Sequence, residues 1–188
     1  TPKKKSSKKK SSGKSDTSDK SGTSTAKKSV ALTFDDGPSK ETEKILDILK
    51  KRQVKATFFS IGRDDAFSKK MYQRIVKEGH TLGMHSYSHQ YKEIYQSMDA
   101  FQADYERISN CLTAATGIKP LYYRFPGGST EVTEKLQMTD LDAYFNAQGA
   151  SYFDWNVIAA NNTTDDVSVN KMVDSVMNGV ALYDTSIV

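Results

Sequence analysis

The chain of 188 residues and 20.9 kDa is long enough for one domain with a sizeable hydrophobic core, and hardly for two. Its one cysteine excludes an internal disulfide framework and a cysteine-based zinc site. The sequence is 37% hydrophobic and 27% charged, with a mean hydropathy of -0.63, so part of it is expected to be solvated. No apolar run reaches 18 residues, and no transmembrane helix is predicted.

The solvated part is the beginning of the chain. Residues 1–28 contain ten lysines, eight serines and two aspartates, and no aromatic or branched aliphatic residue. Their net charge of +8, against +4 for the whole chain, leaves -4 for residues 29–188. Such a segment cannot bury enough apolar surface to fold, so residues 1–28 are predicted to be a disordered linker. The basic isoelectric point therefore belongs to this linker, which argues against a basic nucleic-acid-binding domain.

A linker of this composition fits two roles. It suits a spacer between an upstream signal peptide or membrane anchor and an exported domain. It also suits a basic arm that contacts an anionic cell-wall polymer, a membrane surface or nucleic acid. We expect an extracellular or cell-surface protein, with no specific nucleic-acid partner because residues 29–188 are acidic.

From residue 29 onwards, short apolar runs alternate with stretches of helical periodicity. The predicted strands cover residues 30–34, 55–59, 81–84, 120–123, 150–153 and 186–188. The predicted helices cover residues 41–52, 67–79, 98–116, 133–147 and 168–177. This alternation predicts an α/β fold with parallel strands, and it does not separate an open sheet from a barrel.

Polar residues follow the predicted strands, and the carboxyl ends of parallel strands are where α/β folds place their sites. Asp35 and Asp36 follow the first strand, His85 follows the third, and Arg124 follows the fourth. His85 and His89 are four residues apart, so one helical turn would bring both to one face. His80 precedes its strand and is interpreted as a structural residue.

These residue types suit metal-assisted hydrolysis of an acyl group. A carboxylate and two histidines make a three-ligand metal site that leaves a position for water. A second carboxylate can act as general base on that water, and Arg124 can orient the base. The Gly127-Gly128 pair offers an unobstructed backbone N–H for a substrate oxygen.

Residues 29–188 resemble a polysaccharide deacetylase domain, the carbohydrate-esterase family of peptidoglycan, chitin and xylan deacetylases. Three motifs carry the resemblance in order: residues 33–38 (TFDDGP), 85–89 (HSYSH) and 124–127 (RFPG). The strand around Phe58-Phe59 and the turn at residues 78–80 are also similar to the family. The resemblance implies a distorted (β/α)7 barrel.

The resemblance also implies a role for each motif residue. The metal ligands would be Asp36, His85 and His89, with Zn2+ favoured over Co2+ or another divalent ion. Asp35 would be the general base, and Arg124 would contact it. The remaining implied residues are Gly127, whose N–H would bind the oxyanion, and Trp155, which would either contact substrate or be a core aromatic residue at a strand end.

This sequence departs from the family's pattern at two further motifs. In the fourth, Ile158 stands where the family often has Asp, and Asn161-Asn162 replace a typical Asp-Trp. The fifth is a strand ending in Leu-x-His, whose histidine is the general acid. Residues 185–188 resemble the positions just before that histidine, so the catalytic domain is expected to be incomplete at its C-terminus.

The implied reaction is removal of N-acetyl groups from a polysaccharide, with cell-wall peptidoglycan N-acetylglucosamine favoured as substrate. Three alternatives remain open on the sequence alone. One is a catalytically impaired domain that binds glycan or metal without hydrolysis, and another is an O-acetyl esterase acting on xylan. The third is a nucleic-acid partner bound through the basic linker.

Overall fold

A computed structural model describes residues 27–132, 135–159 and 167–188. Within these ranges the strands are β1 (Ser29–Ala31), β2 (Thr33–Asp35), β3 (Thr57–Ser60), β4 (Thr81–Met84), β5 (Tyr122–Tyr123), β6 (Ser151–Tyr152) and β7 (Thr185–Ile187). The helices are α1 (Lys40–Arg52), α2 (Ala66–Lys77), α3 (Tyr91–Ile94), α4 (Met98–Thr116), α5 (Met138–Gln148) and α6 (Val169–Leu182). None of these helices is both long enough and apolar enough to cross a membrane. The α/β class predicted from the alternating pattern is confirmed.

All strand pairs in the described ranges are parallel. One sheet has the order β2-β3-β4-β5-β6, and β1 pairs with β7 in a second, two-stranded sheet. The predicted single strand over residues 30–34 is therefore wrong in one respect. The chain changes partner at Leu32, so that β1 pairs with β7 while β2 pairs with β3.

The two sheets meet on either side of β7. The Thr33 N–H donates to the Val188 carbonyl over 2.8 Å on one side. On the other side, the Asn156 side chain accepts from the Ile187 N–H (2.7 Å) and donates to the Thr185 carbonyl (3.0 Å). The backbone N–H groups of Asn156 and Val157 also donate to the Ile187 carbonyl, both over 3.1 Å, so backbone and side-chain bonds together join β7 to the segment after β6. β7 thus lies between β2 and the segment after β6, while the described strands form two separate sheets and not a closed barrel ladder.

Most predicted helices have the predicted place, and one does not. The helix predicted over residues 133–147 begins only at Met138, after a 3-10 turn at Ser129–Glu131. Residues 133 and 134 lie outside the described ranges, as does the predicted linker apart from residues 27 and 28. Lys28 donates to the Ala181 carbonyl over 2.7 Å at the end of α6, where a cation complements the exposed helix carbonyls.

An aromatic core fixes the helix that backs the candidate site. Phe101 and Tyr105 on α4 are almost fully buried. Phe101 packs against Phe125 in a stacked arrangement with ring centroids 5.8 Å apart, and Tyr105 packs against Phe145 on α5 at 5.6 Å. Such ring contacts add to the burial of apolar area, so α4 and the segment after β5 are held in one rigid unit.

Candidate active site

The three predicted metal ligands converge on one point at the carboxyl ends of the strands. One carboxylate oxygen of Asp36, just past β2, lies 3.3 Å from Nε2 of His85 and 3.1 Å from Nε2 of His89. One ligand atom from each residue lies within 4.8 Å of the others, and this is the only such cluster in the described ranges. Four ligands placed tetrahedrally about Zn2+ are separated by about 3.3 Å, so the donor set fits this ion.

The two histidines reach this point from a loop and not from a helical turn, which corrects the helical interpretation of their spacing. His85 directly follows β4, and the loop then passes through Ser86 and His89, whose φ angles are +73° and +54°. The hydroxyl of Ser86 accepts a hydrogen bond from the His89 N–H over 2.9 Å. The turn brings both imidazoles to the same carboxylate, with ring centroids 5.1 Å apart.

A backbone carbonyl fixes the orientation of His85. Its Nδ1 lies 2.8 Å from the Arg124 carbonyl oxygen, which can only accept, so Nδ1 carries the proton. Nε2 is then free to offer a lone pair toward Asp36. This is the arrangement that metal-ligating histidines commonly have.

Asp36 is the acidic member of this cluster, and its neighbours favour the ionised carboxylate. Hydrogen bonds from His85 and His89 hold the pKa of Asp36 well below its usual range in the metal-free chain. Because metal ligands bind in their deprotonated form, a divalent cation held by Asp36 and the two Nε2 atoms is expected to compete with protons.

The second carboxylate is held beside this cluster by a buried arginine. The Arg124 side chain is 2% exposed, and its Nη1 donates to Asp35 over 2.9 Å and to the Thr33 hydroxyl over 2.6 Å. Its Nε donates to the Phe153 carbonyl over 2.9 Å, and its guanidinium lies over the Phe59 ring at 4.2 Å. Because it makes so many contacts, the guanidinium has one orientation, and it fixes the position of the Asp35 carboxylate.

The glycine loop that follows Arg124 is anchored at both ends. Gly127 and Gly128 have φ angles of +78° and +89°, which other residues rarely adopt. Asp154 accepts from both the N–H (3.0 Å) and the hydroxyl (2.5 Å) of Ser129, and the Tyr95 hydroxyl donates to the Pro126 carbonyl (2.9 Å). Sequence reasoning did not assign Asp154 this anchoring contact, because its partner lies 25 residues away.

All of the predicted site residues line one groove of about 460 Å3. They are Asp35, Asp36, His85, His89, Arg124, Gly127 and Trp155. Sequence reasoning missed Tyr91, which lines the same groove and packs edge-on against His89 at 5.4 Å. A tyrosine two residues after the second histidine gave no signal of this role by spacing alone. Ile158 is 41% exposed at the groove, while Asn161 and Asn162 lie outside the described residues.

A larger groove of about 770 Å3 lies between α1 and α2, and it shares no lining residue with the first. Its walls are mostly lysine and other polar side chains, and its described residues hold no cluster of three metal-type ligands. His80 lies at this groove, where its Nδ1 accepts the Ala56 N–H over 3.2 Å. All seven predicted site residues line the smaller groove, and none of them lines this one.

The parallel α/β fold and the carboxylate, histidine and arginine groups of this groove agree with the family resemblance drawn from the three motifs. The chain belongs to the polysaccharide deacetylase family, whose model matches residues 22–145. It is 34% identical over 152 residues to a peptidoglycan-N-acetylglucosamine deacetylase of Bacillus cereus, covering 80% of this chain and 55% of the relative. It is 35% identical over 174 residues to a bifunctional xylanase/deacetylase of Pseudobutyrivibrio xylanivorans, covering 89% of this chain and 27% of that protein.

Among solved structures, this chain is similar to the catalytic domain of peptidoglycan N-acetylglucosamine deacetylase from Eubacterium rectale, with a TM-score of 0.78 and 38% identity. The match covers 85% of this chain and 74% of that one. The chain spans about half the length, or less, of the curated relatives it matches. The resemblance drawn from the three motifs is thus confirmed at the level of family and fold.

Proposed function

We propose that this chain carries the site that removes N-acetyl groups from a cell-wall or related polysaccharide, releasing acetate, with a divalent metal as cofactor. The observation that carries the proposal is the convergence of Asp36, His85 and His89, with Asp35 fixed beside them by Arg124. Zn2+ is the favoured ion because two imidazoles and one carboxylate form a common catalytic zinc set that leaves a coordination position open.

The bound ion would polarise the acetamide carbonyl and activate water, which is the chemistry that such metals supply. Asp36, His85 and His89 would hold it. Asp35 accepts the proton of the attacking water, and Arg124 keeps the Asp35 carboxylate aimed at that position. Gly127 lines the groove, and its N–H would donate to the oxygen that gains charge; one such donor contributes roughly 3 kcal/mol to catalysis.

Protonation of the departing amine is the step for which this chain offers no side chain of the expected type. Its three histidines are His80, His85 and His89. The last two are the proposed ligands, and His80 lies at the separate groove between α1 and α2. Without such a histidine the departing amine would take its proton from water or from Asp35 after that carboxylate has accepted the water proton, so we propose that turnover is slow.

Support for the substrate comes from the relatives. Two matched proteins are named as peptidoglycan N-acetylglucosamine deacetylases, which favours that glycan as the substrate class. The xylanase/deacetylase keeps an O-acetylated xylan as the second candidate. We propose an extracellular or cell-surface site of action, as the lysine-rich linker and a wall-glycan substrate both suggest.

The chain contains a direct reporter for the test. Trp155 is its one tryptophan and lines the groove, so its fluorescence responds to a ligand bound there. With Zn2+ present, N-acetylglucosamine oligomers should change this emission saturably, and acetate should accumulate slowly. Acetylated xylan oligomers serve as the competing substrate.

Asp35→Asn is the matched control, since it keeps the shape of the side chain and removes the proposed base. It should leave the emission change in place and stop acetate release. An emission change without acetate from the unaltered chain would favour the catalytically impaired alternative. A result in which neither oligomer gives acetate release or an emission change would contradict the proposed function.

A further inference from the structure

The loop that carries the second histidine adopts a backbone conformation that its own residues do not favour. Ser86 and His89 are not glycines, yet both have positive φ angles. This conformation is unfavourable for residues other than glycine, and it persists only where the surroundings impose it. Some contact outside residues 85–89 must therefore hold the loop.

The strongest such contact comes from Asp104 on α4. One of its carboxylate oxygens accepts from the Tyr87 N–H over 2.8 Å, and the other accepts from the Ser88 N–H over 2.9 Å. Hydrogen bonds from backbone N–H groups to an ionised carboxylate are among the strong ones. Two consecutive amides on one carboxylate fix the direction of the intervening peptide as well as its position.

Asp104 is itself held rigidly. It lies in the middle of α4 between Phe101 and Tyr105, which are both at most 1% exposed in the aromatic core. The backbone at position 104 cannot move without repacking that core. The Asp104 carboxylate therefore holds the Tyr87 and Ser88 amides at a fixed position relative to α4.

His89 depends on this contact more than His85 does. His85 directly follows β4, and its Nδ1 is fixed by the Arg124 carbonyl. The Nδ1 of His89 makes no hydrogen bond within the described part of the chain, and its side chain is 29% exposed. Apart from its contacts with Asp36 and the Tyr91 ring, the His89 ring is therefore oriented by the loop backbone that Asp104 holds.

We propose that Asp104 is a positioning residue that presents His89 to the metal. It touches neither metal ligand side chains nor substrate, and it acts through the Tyr87 and Ser88 amides. The inference rests on the proposed function, because it assumes that the cluster of Asp36, His85 and His89 binds a metal.

The test is the Zn2+ affinity of the Asp104→Asn variant, measured by competition with a chromophoric chelator. Asparagine has nearly the same shape, but its amide nitrogen cannot accept from an N–H, so one of the two loop contacts is lost. Affinity should fall about 10- to 100-fold, the usual cost of losing a residue that orients a metal ligand. Glu106→Gln is the matched control, as it removes one negative charge from an exposed position of the same helix and should leave affinity unchanged.

A double-mutant cycle separates positioning from a general effect on the fold. If Asp104 acts through His89, Asp104→Asn should have little further effect on Zn2+ affinity in the His89→Ala background. The Co2+ absorption spectrum of Asp104→Asn should also change, since the His89 ligand would be displaced. Asp104→Glu, which keeps the charge, replaces the asparagine variant if the latter does not fold.

The outcomes distinguish failure of the Asp104 inference from failure of the proposed metal site. Zn2+ binding by Asp104→Asn with the affinity and Co2+ spectrum of the unaltered chain would overturn the inference alone. An equal loss of affinity with and without His89 would also overturn it. Failure of the unaltered chain to bind Zn2+ would overturn the proposed metal site, and the inference with it.

Discussion

The carbonyl oxygen of Arg124 lies 2.8 Å from Nδ1 of His85, while the guanidinium of the same residue donates to Asp35 over 2.9 Å. One residue thereby orients a proposed metal ligand through its backbone and the proposed base through its side chain. The contact to His85 needs no particular side chain at position 124, whereas the contact to Asp35 does. Substitution of Arg124 should therefore affect the base while the ligand remains oriented.

Arg124→Lys tests this division. Lysine keeps the positive charge but lacks the planar fork that reaches Asp35, Thr33 and the Phe153 carbonyl at once. Unsatisfied buried groups should lower the free energy of unfolding by about 2 kcal/mol, and acetate release should fall at least tenfold. Zn2+ affinity should change little. A large loss of Zn2+ affinity would show that the guanidinium, and not only the backbone, supports the metal site.

The two adjacent aspartates should respond differently to the same substitution. Asp36→Asn should weaken Zn2+ binding about 100-fold, because it removes the anionic ligand between the two imidazoles. Asp35→Asn should leave Zn2+ affinity within about threefold and abolish acetate release. Calorimetric titration of both variants with Zn2+ provides the comparison. Loss of metal binding in Asp35→Asn, with retention in Asp36→Asn, would mean that the two roles are exchanged.

Gly127→Ala should lower the free energy of unfolding by more than the strain of a positive φ angle alone. The φ angle of +78° already disfavours alanine, and a Cβ there would come 2.6 Å from Cγ of Glu131 and 3.0 Å from the Tyr91 ring. Gly117→Ala is the matched control, since its φ angle is +75° but no atom lies within 4 Å of the added carbon. Both variants should lose about 1 kcal/mol of unfolding free energy, and Gly127→Ala more.

The same pair of variants separates an effect on stability from an effect on ligand binding in the groove. Gly127→Ala should also reduce the Trp155 fluorescence response to N-acetylglucosamine oligomers, because the glycine loop lines that groove. Gly117→Ala should leave the response unchanged. Equal responses in both variants would contradict the placement of Gly127 against the substrate.

His80 should make the metal-free fold less stable in mild acid. The ring is 7% exposed, and its Nδ1 accepts the Ala56 N–H, which requires Nδ1 to be unprotonated. Burial, followed by the charge of Lys55, lowers the pKa of His80 below its usual 6.5. As pH falls through about 6.5 the unfolded chain takes up a proton that the folded chain resists, so stability declines.

Urea unfolding at pH 7.5 and pH 5 with a chelator present measures this decline. His80→Asn retains an acceptor near the position of Nδ1 and does not titrate, so its stability should depend less on pH. The difference between the two chains isolates His80 from His85 and His89. An identical pH dependence in both would contradict the assignment of a neutral, buried His80.

The site residues at the strand ends could be predicted because each of them directly follows a strand that is recognisable in the local sequence. Asp35-Asp36, His85 and Arg124 each directly follow a short apolar run, and parallel strands bring such positions to one edge. The division of the first strand at Leu32 was not predictable in this way. It depends on β7, whose residues lie about 155 positions further along the chain.

The details of the loops depend on distant partners as well. The spacing of His85 and His89 suggested a helical turn, but the Asp104 carboxylate and the Ser86 hydroxyl stabilise a different backbone. Asp154 and Asn156 likewise act on Ser129 and β7 through side chains whose partners no periodicity reveals. Local pattern thus identifies the chemical groups, and long-range hydrogen bonds determine how they are presented.

The coordination of Zn2+ in the loaded protein is the most direct test of the account. X-ray absorption at the zinc edge should show two imidazole ligands with Zn–N distances of about 2.0–2.1 Å and at least one further oxygen ligand. One equivalent of Zn2+ should bind, and His89→Ala should reduce the imidazole contribution from two to one. A spectrum with no imidazole scattering, or one unchanged in His89→Ala, would contradict a metal centre built on Asp36, His85 and His89.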